Sequence, residues 1–286
     1  MSRTRTGQFG IGFRRGGGWQ KDLAATIEWA KANDFECIDV GGVEAVRQVA
    51  ESGLEVGSAD LPGWQGLISP DKARRDEAAA EAAQYVRDCK GLARNFFVVM
   101  LPEKPELPRK ESFGYMVEGF GQLTDVLAEC DGRIVIEGWP GPGALCCTPE
   151  TVRAFFKEVD SPTMGLNYDP SHLIRMGIDP LRFLEEFAGR VGHLHGKDTE
   201  ILAERQYELG IEQPATFAEG IFCGGNHWRY CIPGHGQMRW TKAFQMLVEA
   251  GYDGTISIEL EDANFQGTEE AEKLGLVLGR RNLEGF

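Results

Sequence analysis

Four acidic or imidazole side chains stand at or near the ends of apolar runs in the second half of the chain. Glu137 falls in RIVIEG (133–138), Asp169 ends MGLNYD (164–169), His195 lies in VGHLHG (191–196) and Glu259 follows TISI in TISIEL (255–260). A carboxylate buried behind a fully apolar run is unfavourable unless another group offsets its charge. For Glu137 and Glu259 together, a shared cation is the simplest such partner. Three carboxylates and one imidazole make an oxygen-rich set with one borderline donor. That set suits a divalent ion of the Mn²⁺, Co²⁺ or Mg²⁺ type better than a thiolate-favouring one. Each residue alone reads more simply as a structural carboxylate or a core histidine; the constellation carries the specificity. None of the seven cysteines forms a C-x-x-C pair, so a thiolate zinc site has no support.

Strands must bring these residues together. Eight short apolar runs recur, at 8–13, 35–40, 54–60, 95–100, 133–138, 164–169, 191–196 and 255–260. Their continuous apolar character fits strands buried on both faces of a parallel sheet. Helical stretches alternate with them, at 19–33, 70–91, 112–130, 149–159, 179–188, 240–251 and 268–280. Pro70, Thr148–Pro149 and Pro180 mark helix starts; Asn33, Gly91 and Gly251 mark stops. Alternating β and α units predict right-handed crossovers, and eight of them predict a closed (β/α)8 TIM barrel, one domain over residues 1–286. The rival is a doubly wound open sheet, but no G-x-G-x-x-G follows the first strand. The interval from His195 to Glu259 is about twice that of an ordinary βα unit. Its excess, roughly 199–238, is rich in glycine and proline and reads as a long loop or small excursion after strand seven. In the barrel expectation, Glu137, Asp169, His195 and Glu259 share the C-terminal rim, where active sites form.

Composition narrows the partners. The 286 residues are 42% hydrophobic and 26% charged, which excludes a disordered chain. Formal charge is −14, a field that repels phosphate backbones and anionic membranes. The expected ligand is therefore a small molecule, with neither nucleic acid nor membrane as partner. No window reaches ~18 apolar residues, the start lacks the apolar run of a signal peptide, and seven cysteines are an odd count. Those features predict a cytoplasmic protein.

The four-residue pattern resembles the xylose-isomerase-like TIM barrels, specifically the sugar phosphate isomerase/epimerase group with its ketose 3-epimerases and inosose dehydratases. The resemblance is sharpest from residue 133 onward and includes IPGHGQMRW (232–240) and GYDGTISIELED (251–262). It implies that Glu137, Asp169, His195 and Glu259 bind one divalent metal, Mn²⁺ first, with Co²⁺, Mg²⁺ or Zn²⁺ as alternatives. It implies that Glu137 and Glu259 are both ligands and catalytic bases. It places His172, in DPSH, and Arg229, before the proline-glycine turn, against substrate oxygens. HGKDTE (195–200) resembles the dehydratase-like branches: Lys197 would donate to a substrate oxygen, and Asp198 would hold Lys197 or a ligand; an ordinary salt bridge is the plainer alternative. Barrels of this type form dimers or tetramers, so a homo-oligomer is implied.

Aromatic faces pack well on the C–H faces of sugars, which makes Trp139, two residues after Glu137, a candidate wall of a carbohydrate pocket, with Trp64 and Trp228 as further candidates. Arg14 and Arg15 follow the first strand and could meet an anionic group; GGG at 16–18 beside them is a weak phosphate signal. The function read here is a divalent-metal-dependent isomerase or epimerase acting on a sugar through an enediolate. The alternative is a lyase or dehydratase acting on a keto-sugar or keto-cyclitol at the same site. An abasic-site endonuclease of this barrel type would need more than the five histidines present. A non-catalytic sugar-binding barrel would have no need of the intact ligand set.

Overall fold

The computed structural model describes residues 2–286. Ten strands form among them: β1 (Gly10–Arg14), β2 (Cys37–Gly41), β3 (Glu55–Asp60), β4 (Asn95–Val99), β5 (Arg133–Glu137), β6 (Met164–Tyr168), β7 (Val191–Gly196), β8 (Asp198–Ile201), β9 (Trp228–Cys231) and β10 (Thr255–Ile258). Eight of them close into a barrel in the order β1-β10-β7-β6-β5-β4-β3-β2. The registered pairs β1–β10, β3–β4, β4–β5, β5–β6 and β6–β7 are parallel. Every predicted run overlaps its barrel strand. β6, β7 and β10 are buried along their whole length, as strands covered on both faces must be.

Contacts group the chain into two compact units. One runs to Cys37 and includes Asp169–Glu186 and everything from His195; the other comprises Ile38–Tyr168 and Phe187–Leu194. In the first, helix Leu23–Ala32 starts where Asp22 accepts a hydrogen bond from Ala25 N at 3.0 Å. Its Leu23, Ile27 and Ala30 are buried, the helical spacing that fixes an inward face. Helix Glu269–Glu284 starts in the same way, at Thr268. In the second unit, helix Lys72–Asp88 starts at Asp71 and buries Ala78, Ala79, Ala82 and Val86. Thr148 and Pro149 start helix Pro149–Glu158, although the Thr148 hydroxyl faces Thr151 Oγ1 at 3.2 Å instead of capping.

Two sequence expectations change. The stretch 112–130 is two helices, Arg109–Gly121 and Thr124–Glu129. Gly119 and Gly121 weaken the joint, and Gly119 is there for a reason of packing: a Cβ on it would overlap the Leu67 carbonyl oxygen. The long loop expected after strand seven is in part built structure. It carries the antiparallel ribbon β8–β9, with Glu200 opposite Arg229, and helix Ala203–Leu209. Polar and glycine-rich sequence concealed strands only four residues long.

Asp198 ties the ribbon to the turn after it. Its Oδ1 accepts from Thr199 N at 2.8 Å and Met238 N at 3.0 Å. Its Oδ2 accepts from Gly234 N at 3.2 Å and Trp240 Nε1 at 3.1 Å. Burial pushes its carboxyl above the ordinary aspartate range, and these donors pull against that shift. Gly236 must be glycine here, because a Cβ would overlap Asp198 Oδ1.

Two stability changes follow. Gly119→Ala should destabilise by about 1–3 kcal/mol, the usual range for overpacking, read as a lower urea midpoint at unchanged slope. Asp198→Asn turns an amide N–H toward buried donors and should cost about 2–3 kcal/mol, with faster amide exchange at Gly234 and Met238. An unchanged midpoint would remove Asp198 as the anchor.

Candidate metal centre

The four rim residues converge. Glu137 ends β5, Asp169 follows β6, His195 lies near the end of β7 and Glu259 follows β10. One ligand atom from each lies within 4.8 Å of the others. Glu137, Asp169 and His195 are buried, at 4%, 5% and 0% exposure, and Glu259 is half-buried. Hydrogen bonds fix two of these carboxylates, one from local chain and one from the neighbouring strand. Asp169 caps helix Pro170–Arg175, its Oδ1 accepting from Ser171 N at 2.9 Å. Glu137 Oε2 accepts from Asn167 Nδ2 at 2.9 Å.

The charge of the cluster decides what it can hold. Lys197 is 1% exposed; its ammonium donates to Glu259 and, at 2.9 Å, to Glu261, and lies 3.2 Å from Asp169 Oδ2. Three carboxylates against one ammonium leave a formal −2 around the convergence point, which is complementary to a divalent cation. Asp169 Oδ2 is buried and takes no hydrogen bond, although Lys197 and His172 stand near it. A buried carboxylate oxygen in that state is a ready ligand. The donor set and its charge therefore fit the predicted group.

The remaining predicted residues separate into three placements. Lys197 and His172 are in the centre. His172 Nδ1 is 2.7 Å from Tyr230 OH, and Nε2 is 3.3 Å from Asp169 Oδ2. Arg175, a donor only, gives Nη1–H to the same hydroxyl at 2.8 Å. Tyr230 therefore directs its proton to His172 Nδ1. Burial raises the Tyr230 phenol well above its ordinary value, so it stays a neutral donor. Arg229 lies on the ribbon, Nε 2.7 Å from Glu200 and Nη1 3.3 Å from Asp262. Trp139 is half-buried just after Glu137, its ring stacked where a Gly141 side chain would be. Asp198 is the correction: it turns to the 234–240 turn, away from the role of holding Lys197 or a substrate-side ligand. Its place beside Lys197 in sequence misleads because neighbouring residues in extended chain point to opposite sides.

Sequence reasoning missed Tyr230, Arg175, Glu261 and Asp39. Asp39 hydrogen-bonds His193 Nε2 at 3.0 Å and accepts from Ser58 N at 2.9 Å; with His195 the pair forms a second group of close ligand atoms. Tyr230, Arg175 and Asp39 sit in ordinary strand or helix patterns and Glu261 in the irregular segment after β10, and only the fold shows what each faces. Arg14 Nε lies 3.4 Å from Glu259 Oε1. Arg15 instead donates to the carbonyls of Gln20 and Lys21, both at 2.7 Å.

Comparison with known proteins agrees with this architecture. An inosose dehydratase of Geobacillus thermodenitrificans (strain NG80-2) is 28% identical over 159 residues, 56% of this chain and 50% of that protein. The curated relatives first in similarity are matched over about half of their length. D-psicose 3-epimerase from Clostridium cellulolyticum H10, solved with D-tagatose, superposes with a TM-score of 0.68 at 14% identity, covering 97% of this chain and 100% of that one. The IolI protein with a bound zinc atom superposes at 0.62 and 17% identity, covering 96% and 95%. A family model matches residues 24–278. With its closed barrel and matching span, the chain belongs to the xylose isomerase-like TIM barrel family.

Proposed function

We propose that this chain is a divalent-metal-dependent isomerase or epimerase of a sugar or sugar derivative, working by proton transfer at a carbon next to a carbonyl. The observation that carries this is the convergence of Glu137, Asp169, His195 and Glu259 around a formal −2. Those four residues would hold the ion, Mn²⁺ in our assignment; Zn²⁺, the ion in the IolI structure, suits the same donors. When bound, the ion would polarise the substrate carbonyl and stabilise the charge that develops on proton removal.

The side chains supply the rest. Glu137 and Glu259 stand on β5 and after β10, with β6 and β7 between them. Carboxylates on two sides of a substrate can take a proton from one face and return it to the other, which is epimerisation. His172, locked by Tyr230 and Arg175, holds its Nε2 toward Asp169 and any substrate oxygen beside it. Arg229 is the second oxygen contact, and Trp139 the aromatic wall.

One observation favours a second reading. Lys197 places a buried ammonium against Glu259. An ammonium there can give a proton to a departing hydroxyl, so that the proton removed from carbon and the hydroxyl on the next carbon leave as water and a double bond remains. That is a dehydratase, the activity that the names of several curated relatives state.

The metal reading is tested by titration of chelator-treated protein with Mn²⁺ and Zn²⁺. One equivalent should bind, and Asp169→Asn or His195→Ala should weaken it at least ~10-fold. Stoichiometry of zero, with the fold intact by circular dichroism, would overturn it. The reaction is tested in D₂O with D-psicose, D-tagatose and an inosose, followed by NMR. Deuterium should enter next to the carbonyl, and Glu259→Gln should slow this about 10²–10⁴-fold without unfolding the protein. Exchange with retention of every oxygen supports the epimerase; exchange with loss of water supports the dehydratase. Lys197→Met should affect the second outcome far more than the first.

A further inference from the structure

A cavity of about 370 Å³ opens beside the metal centre, within the ~300–1,000 Å³ of small-molecule sites. It is lined by Arg14, Arg15, Gln20, Glu259, Gln266 and Glu272, with the backbone of Gly16–Gly18 and Leu260. Glu259 belongs to both the cavity and the cluster, so a molecule reacting at the cluster extends its far end into this space. From this lining we infer that the substrate is an unphosphorylated polyol with a carbonyl group, and that Glu272 is the residue that rejects a phosphate ester. The inference rests on the proposed function above and deepens it.

The charges support it. Two arginines face two glutamates, so the lining carries no surplus positive charge. Arg14 is committed to Glu259 at 3.4 Å, and Arg15 spends Nε and Nη2 on backbone carbonyls at 2.7 Å. The group facing Glu272 is neutral: Trp19 Nε1 donates to its Oε2 at 2.9 Å, and no charge is cancelled by that bond. A phosphate monoester brings about −1.5 to −2 charge and only acceptor oxygens. It would meet Glu272 and a protein of net charge −14 without a surplus cation.

The hydrogen-bonding groups fit hydroxyls instead, which both donate and accept. Gln20 Oε1 accepts from Gly16 N at 2.8 Å, which leaves its amide N–H groups as donors. Gln266 Nε2 donates to Leu260 O at 2.8 Å, which leaves its oxygen as an acceptor. Glu272 adds a carboxylate acceptor. The bonds from Arg15 and Gln20 also pin the 15–21 loop, so these groups are set before a ligand arrives. Gly17 and Gly18 keep the wall low: a Cβ on either would meet nothing within 4 Å.

The test compares D-fructose, D-tagatose and an inosose with D-fructose 6-phosphate and D-tagatose 6-phosphate on the Mn²⁺-treated protein. Binding is read by tryptophan fluorescence, with Trp19→Phe as control, and by ligand-observed NMR. At least one neutral compound should bind more than about tenfold tighter than either phosphate, as like-charge contact demands. Glu272→Arg should bring the two classes within a few-fold or reverse their order, and Glu272→Gln should narrow the gap. Mn²⁺ affinity, titrated separately, should stay the same in both variants. A phosphate ester that binds the wild type as tightly as the neutral compounds would overturn the inference. So would a preference that Glu272→Arg leaves untouched, or saturable binding by none of the five. Failure of Mn²⁺ to bind the wild type would instead overturn the metal reading, and the sugar–phosphate ratio would still be measured on its own.

Discussion

Concentrated negative charge at the rim of the barrel is the constraint on which the site depends. Three carboxylates share a space under 5 Å across, two of them almost wholly buried. Carboxylates so placed repel one another strongly in a medium poorer in water, and a fold tolerates the arrangement only with cations and hydrogen-bond donors in place. The surrounding chain supplies both. Lys197 contributes an ammonium from within, Asn167 donates to Glu137, and the start of helix Pro170–Arg175 donates to Asp169. A backbone N–H holds Asp169, a side-chain amide holds Glu137 and the Lys197 amine holds Glu259, and the remaining negative charge is complementary to a divalent cation.

The ribbon β8–β9 is the second device that makes the centre possible. Lys197 and Asp198 are adjacent, yet one ends among the carboxylates and the other in a cage of three backbone N–H groups and an indole. Extended chain puts successive side chains on opposite sides, so a single segment both delivers the ammonium and anchors itself. Opposite Thr199 on β9 is Tyr230, which orients His172 and lies under the Lys197 ammonium at 4.6 Å from the ring centre. An excursion that interrupts the regular βα alternation is therefore the structural support for the polar residues of the site.

Most of the barrel was legible in the residues because barrel strands have a one-dimensional signature: short runs apolar throughout, separated by capped helices. Pro149 and Gly251 mark boundaries by local chemistry that needs no tertiary context. The four rim residues were legible because polar groups at the ends of such runs are costly anywhere else. The ribbon was not. β8 and β9 are four residues each, amphipathic and flanked by glycine-rich chain, and their pairing is set by contacts across about thirty residues of chain. Asp198 was misread for a related reason: proximity in sequence to His195 and Lys197 says nothing about which side of the strand it faces. Tyr230 and Arg175 acquire meaning only from the partner that the fold puts beside them.

The same barrel hosts epimerases and dehydratases because both begin with one event, loss of a proton next to a carbonyl. Fold likeness cannot divide them, and at 14–17% identity the solved structures speak to fold alone. What divides them is the group that meets the neighbouring carbon's oxygen. A carboxylate there can only take a proton, so the substrate keeps its oxygens and the proton returns to carbon. An ammonium there gives one, and hydroxide leaves as water. In this chain the ammonium is present, buried and held by Glu259, Glu261 and Asp169. Those contacts hold the Lys197 amine beside the carboxylates. Under the proposed function, the choice of reaction reduces to geometry: whether a substrate seated against Glu259 brings a hydroxyl within reach of Lys197. In that reading the cavity beside Glu259 would set the seating, because the far end it accepts fixes the rotation of the reacting carbons above the rim.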